Sequence, residues 1–115
     1  MKTVEVYLQD GTIMTLTIEK FDINTFATGL NDNRIMATNI NGNVINKQLF
    51  KAVIDKTETA PNVKIALTDM ELQGYAENYN ASEITTKIND QQTIFTIVGN
   101  VLFNKRGFKM VSPVA

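Results

Sequence analysis

The chain of 115 residues has no cysteine and no histidine. Without cysteine there are no disulfides, no thiolate metal sites and no cysteine nucleophile. Without histidine the commonest general base and a usual zinc ligand are missing too. No apolar run approaches the length of a membrane-spanning helix. Met1-Lys2-Thr3 leads straight into strand-like sequence, with no signal-peptide pattern. A cytoplasmic protein without a cofactor or bound metal is the expectation. The glycines Gly11, Gly29, Gly42, Gly74, Gly99 and Gly107 are scattered singly, so no glycine-rich phosphate loop is present. Net charge is -1, which sets up no overall field toward nucleic acid or a membrane. Prolines are scarce, and Pro61 alone precedes the C-terminal end.

What the chain does have is internal similarity. Residues 19–53 and 77–111 align at a constant offset of about 58 residues, a period that points to a duplicated supersecondary unit. Glu19 falls on Glu77, Phe21 on Tyr79, Asn31-Asp32 on Asn89-Asp90, and Thr38 on Thr96. Asn46-Lys47 falls on Asn104-Lys105, Phe50-Lys51 on Phe108-Lys109, and Val53 on Val111. Val4, Val6, Leu8 and Asp10 match Val63, Ile65, Leu67 and Asp69 one residue out of step. A unit of about 58 residues buries only about 60% of its unfolded surface. The halves are therefore expected to share one core: residues 1–56 as the first repeat, 57–61 as connector and 62–115 as the second.

Val4, Val6 and Leu8 alternate with Glu5 and Tyr7 as in a strand, and Asp10-Gly11 is a two-residue hairpin signal before a second strand over 13–18. Ile23, Phe26, Ala27 and Leu30 then recur at helical spacing behind the capping residue Asp22. Strands follow over 34–40 and from Val44-Ile45, around the turn Asn41-Gly42, and a short irregular turn leads to strand 50–55. The second half repeats this plan. Its helix is capped by Asn80 with Glu83 in capping-box position and carries Ala81, Ile84 and Ile88 on one face. A hairpin turns at Gly99-Asn100. The expected class is α+β, a tandem β-β-α-β-β-β duplication with pseudo-twofold symmetry, mostly antiparallel, with one short helix per repeat. Strand 50–55 should turn back onto strand 62–67, and strand 108–114 should lie beside strand 3–9 to close the structure.

The sharpest repeated constellation is Asn-Lys-x-x-Phe-Lys. One reading makes it a pair of basic sites, with Asn46, Lys47, Lys51, Asn104, Lys105, Arg106 and Lys109 binding phosphates or an acidic protein surface. The other has each Asn bonding the turn backbone, each Phe in the core and the lysines solvated. Asn31-Asp32 and Asn89-Asp90 stand at helix C-termini, where Asn tolerates the left-handed conformation and a carboxylate opposes the helix dipole. Glu19, Asp22, Glu77 and Glu83 would serve acid–base or metal chemistry only if they converged in a pocket, and their spacing does not enforce that. Tyr7, Tyr75 and Tyr79 are not interleaved with basic residues as a single-strand nucleic-acid groove requires.

The residues Val4–Gly11, Leu30–Asn33 and Gly99–Val111 carry a resemblance to small uncharacterised proteins of Gram-positive phages and prophages. The resemblance implies a mobile-element setting, where small non-enzymatic inhibitors and accessory factors are common. The order of strands is also similar to that of small Sm-like or SH3-like barrels. The expected function is a non-enzymatic interaction protein that binds a host or phage protein. The alternative is nucleic-acid or nucleotide binding through the duplicated lysines. An enzyme using carboxylates and lysines is a remote third. A homo-oligomer is compatible with each.

Overall fold

Alternating apolar residues and well-placed turns produce ten strands and two helices in the computed structural model, which describes residues 1–114. The strands and helices run β1 (Lys2–Leu8), β2 (Ile13–Ile18), α1 (Ile23–Leu30), β3 (Ala37–Ile40), β4 (Asn43–Asn46) and β5 (Phe50–Asp55). They continue with β6 (Val63–Leu67), β7 (Glu71–Gly74), α2 (Ala81–Ile88), β8 (Phe95–Val98), β9 (Val101–Asn104) and β10 (Phe108–Pro113). A 3-10 turn precedes β5 (Lys47–Leu49) and another precedes β10 (Lys105–Gly107). The fold is α+β and every strand pairing is antiparallel.

The strands form a five-stranded sheet ordered β2-β1-β5-β9-β8, a three-stranded sheet β10-β6-β7, and the hairpin β3-β4. Up to Asp55, β1 lies between β2 and β5 while β3 pairs with β4. Beyond Asn62, β6 lies between β7 and β10 while β8 pairs with β9. One strand pairing joins these two groups: β5 to β9, with Ala52, Val53 and Ile54 opposite Phe103, Leu102 and Val101.

Two expected pairings are thereby overturned. Strand β10 lies beside β6 and not beside β1, and β5 does not turn back onto β6. The reason is edge capacity. A strand has two hydrogen-bonding edges, and those of β1 are filled by β2 and β5, while those of β5 are filled by β1 and β9. Among the described residues, the outer edges of β2, β3, β4, β7, β8 and β10 are left unpaired, and no sheet closes on itself.

Both faces of the β5–β9 pair are covered, and alternation along these strands sends residues to opposite sides. Val53 and Leu102 enter one apolar cluster with Val4, Val6, Phe50 and Phe95, over which α1 places Ile23, Ala27 and Leu30. Ala52, Ile54, Val101 and Phe103 enter a second cluster with Val63, Ile65 and Leu72. Each cluster therefore draws residues from both sides of the connector. Lys51 is an extra residue in the β1–β5 pairing, because Tyr7 faces Ala52 and Leu8 faces Phe50. Lys109 is extra in the same way, with Ala66 facing Met110 and Leu67 facing Phe108.

Local details depart from expectation where side chains compete for backbone groups. Strand β3 starts at Ala37, not Arg34, because the Asp32 carboxylate accepts the Arg34 N–H at 2.9 Å. Asp90 likewise accepts the Gln92 N–H at 2.9 Å, and β8 starts at Phe95. Asn31 and Asn89 end their helices in right-handed conformation, with φ of -86° and -81°. The Asp10-Gly11 turn is a four-residue loop with only Gly11 at positive φ, and Asp10 accepts the Thr12 N–H at 3.0 Å. Asn41-Gly42 has positive φ at both residues, as a two-residue hairpin turn of this type demands. At Gly99 a Cβ would lie 2.1 Å from the Tyr75 carbonyl oxygen, so both its φ of 61° and its surroundings require glycine.

Candidate functional site

The two Asn-Lys-x-x-Phe-Lys segments lie at the ends of β4 and β9, where the chain makes a 3-10 turn before the next strand. Each asparagine caps its own turn: Asn46 Oδ1 accepts the Gln48 N–H at 2.9 Å and Asn104 Oδ1 accepts the Arg106 N–H at 2.9 Å. Asn104 also donates through Nδ2 to the Phe50 carbonyl at 3.3 Å.

The lysines divide into two kinds. Lys47 is only 8% exposed, and its ammonium donates to the Asp32 carbonyl at 2.7 Å, tying the turn to the end of α1. Lys105 reaches the matching place after α2 and donates to the carbonyls of Ile88 (3.1 Å) and Asp90 (2.6 Å) and to Thr93 Oγ1 (3.0 Å). Those three bonds use all the donors an ammonium has. Lys51, also 8% exposed, meets Asp69 Oδ2 at 2.6 Å, a contact that crosses from one group of strands to the other. Arg106 and Lys109 are exposed, and among the described residues their side chains enter no ion pair. The seven residues are thus not one surface: five brace turns or strand junctions and two face solvent.

The charges respond to these contacts. The hydrogen bond from Lys51, then its charge, holds the Asp69 carboxyl below its ordinary value. Asp32 is drawn down to about 2, first by the Arg34 side chain, then by the Arg34 N–H, with the charges of Arg34 and Lys47 assisting. The carboxylate at the end of α1 thus has a partner that offsets its clash with the helix dipole.

The carboxylates Glu19, Asp22, Glu77 and Glu83 are all exposed, and Asp22 serves as the cap of α1, accepting the N–H groups of Asn24 and Thr25. They do not line the cleft that holds Glu5 and Glu71. That cleft, about 280 Å³, lies beside the connector and includes Glu5, Tyr7, Lys56, Glu71 and Tyr75. Glu5 there accepts the Tyr7 hydroxyl at 3.0 Å and lies 3.7 Å from Lys56. Burial, then that bond to Glu5 and its charge, raise the Tyr7 phenol. Among the described residues no three acidic side chains gather as metal ligands would. No helix among the described residues is long and apolar enough to cross a membrane.

Sequence reasoning missed the residues that join the two groups of strands. Asn31 Oδ1 accepts from the N–H groups of Ile94 (2.8 Å) and Phe95 (2.9 Å), and its Nδ2 donates to the Phe95 carbonyl at 2.9 Å. Asn100 accepts the Tyr75 N–H at 2.9 Å and donates to the Asp55 carbonyl at 2.7 Å. Within the second group, Asn62 brackets Ala76 with bonds of 2.7 and 2.8 Å. The sequence marked Asn31 as a helix end and Asn100 as a turn residue, with no signal for these long-range bonds. Compared with protein-family models, curated proteins and solved structures, the chain matches none.

Proposed function

We propose that the protein is a non-enzymatic interaction module, a phage or prophage accessory factor that binds a host protein. The observation that carries this reading is that β4 and β10, two of the strands with an open outer edge, display Val44 and Met110 to solvent. Open edges of this kind accept a further strand from a partner through main-chain hydrogen bonds, with side-chain pockets setting specificity. The phage setting rests on the resemblance carried by Val4–Gly11, Leu30–Asn33 and Gly99–Val111.

We further infer that the chain is a tandem duplication of a β-β-α-β-β-β unit. The same succession of elements occurs on both sides of the connector, and extra residues stand at Lys51 and Lys109 alike. The relation between the units is better read as head to tail than as a twofold. A twofold that pairs β5 with β9 would also pair β10 with β4, and those edges are open.

Nucleic-acid binding is the second reading, favoured by the exposed pair Arg106 and Lys109. The bonds made by Lys47, Lys51 and Lys105 weaken it, because they draw three of the five cations away from a phosphate. Affinity capture from host lysate, with and without nuclease, separates the two. Protein prey that survives nuclease and is lost with Val44→Asp supports the first reading. Recovery of nucleic acid, with an affinity that falls steeply as salt rises, replaces it with the second.

A further inference from the structure

We propose that the protein joins a second copy of itself head to tail, β10 of one copy pairing with β4 of the next. The inference rests on the duplication reading and extends the junction already present inside the chain.

Within the chain, the second unit docks on the first through contacts that use different residues on the two sides. Strand β9 adds to β5, Leu102 and Phe95 enter the first apolar cluster, and Ile94 packs against it. Asn31 at the end of α1 grips the backbone of Ile94 and Phe95, and Lys51 pairs with Asp69. At the repeat offset of about 58 residues, the equivalents of Ile94, Phe95 and Leu102 are Met36, Ala37 and Val44. The equivalent of Ala52 is Met110, that of Asn31 is Asn89, and those of Lys51 and Asp69 are Lys109 and Asp10.

These equivalents lie exposed, Met36, Ala37, Val44 and Asp10 in the first unit and Met110, Asn89 and Lys109 in the second. Met36 is 78% exposed, Val44 76% and Met110 51%, whereas Leu102 and Ala52 are buried in the in-chain junction. Ala37, Asn89, Lys109 and Asp10 are exposed as well. α2 buries no residue, although α1, of equal length, buries three. The second unit thus presents the surface that receives a unit, and the first presents the surface that is received. Large apolar side chains left in water on or beside a strand edge mark a surface that pairs.

The in-chain register carries over to the new junction: Met110 opposite Ile45, Val111 opposite Val44 and Ser112 opposite Asn43. Lys109 would meet Asp10 of the next copy, and Asn89 would bond the Met36–Ala37 backbone. Because the two surfaces differ, the contact is heterologous and leads to rings or filaments instead of an isolated twofold dimer.

Sedimentation velocity across a dilution series up to about 1 mM, the range of an intramolecular effective concentration, reads the association directly. The expected result is a mass that rises with concentration, with Val44→Asp and Met110→Asp each monomeric alone. Mixing these two variants should restore a one-to-one dimer, since each keeps the surface the other has lost. Cysteines supply the register: a Val44→Cys chain and a Val111→Cys chain should crosslink on oxidation, as should Val53→Cys with Leu102→Cys within one chain. A wild-type protein that stays monomeric at about 1 mM, or variants that do not pair on mixing, would overturn the proposal. If the in-chain crosslink forms and the between-chain one does not, only the extension fails. If the in-chain crosslink fails, the head-to-tail reading beneath it fails too.

Discussion

Phe50 and Phe108 hold matching places at the starts of β5 and β10, but their surroundings differ. Phe50 is fully buried and packs edge-on against Phe26 at a centroid distance of 5.7 Å, while Phe108 is half-buried and stacks on Phe103 at 5.8 Å. Phe50→Ala should cost about 3–5 kcal/mol in urea unfolding, and Phe108→Ala clearly less; equal losses would show that the two environments are alike. Acid should act through carboxylates. Asp69 and Asp32 bind their protons more weakly in the folded chain than in the unfolded one, where the ordinary value is 3.8. Their contribution is present above that value and is lost as pH falls through the depressed folded values, for Asp32 about 2. Urea midpoints should therefore drop from about pH 5 to about pH 2, and the drop should be shallower in Lys51→Met. At this scale the sequence was legible for core positions that alternate, such as Val4, Val6 and Leu8. It was not legible for Lys47 and Lys51, whose burial depends on carbonyls and carboxylates far along the chain.

α1 and α2 have the same length and equivalent caps, and their positions in the chain were readable from apolar spacing. Their packing was not, because spacing defines which face is apolar and not whether anything covers it. α1 lies against β8 with Ile23, Ala27 and Leu30 buried, while α2 leaves Ile84 and Ile88 half-exposed. Amide exchange should accordingly be slower in α1 than in α2 when the protein is dilute, since protection follows local burial. Exchange in α2 that is as slow as in α1 at low concentration would contradict this assignment. The hairpins show the same division. Pairings such as β3 with β4 follow from their turn residues, whereas the pairing of β5 with β9 has no local signal at all.

Taken whole, the molecule is organised around the β5–β9 pair, which separates two apolar clusters and contributes to both. Because neither cluster is complete without strands from the other side of the connector, the chain should unfold in one transition. Tyrosine fluorescence and far-ultraviolet circular dichroism should give coincident urea curves; separated curves would mean that the halves are independent. The architecture at this scale was the least legible, since repeated sequence describes a unit and is silent on how one unit meets the next. The turn at Gly99-Asn100 adds a last consequence. Inside the chain Asn100 exchanges two bonds with Asp55, one through its side chain and one through the Asp55 N–H. The corresponding residues at the proposed joint are Gly42, with no side chain, and Pro113, with no N–H. A joint between copies built on the same pattern would lack both bonds. The link within each molecule would then be permanent and the link between molecules short-lived, so that any assembly could be taken apart without unfolding its members.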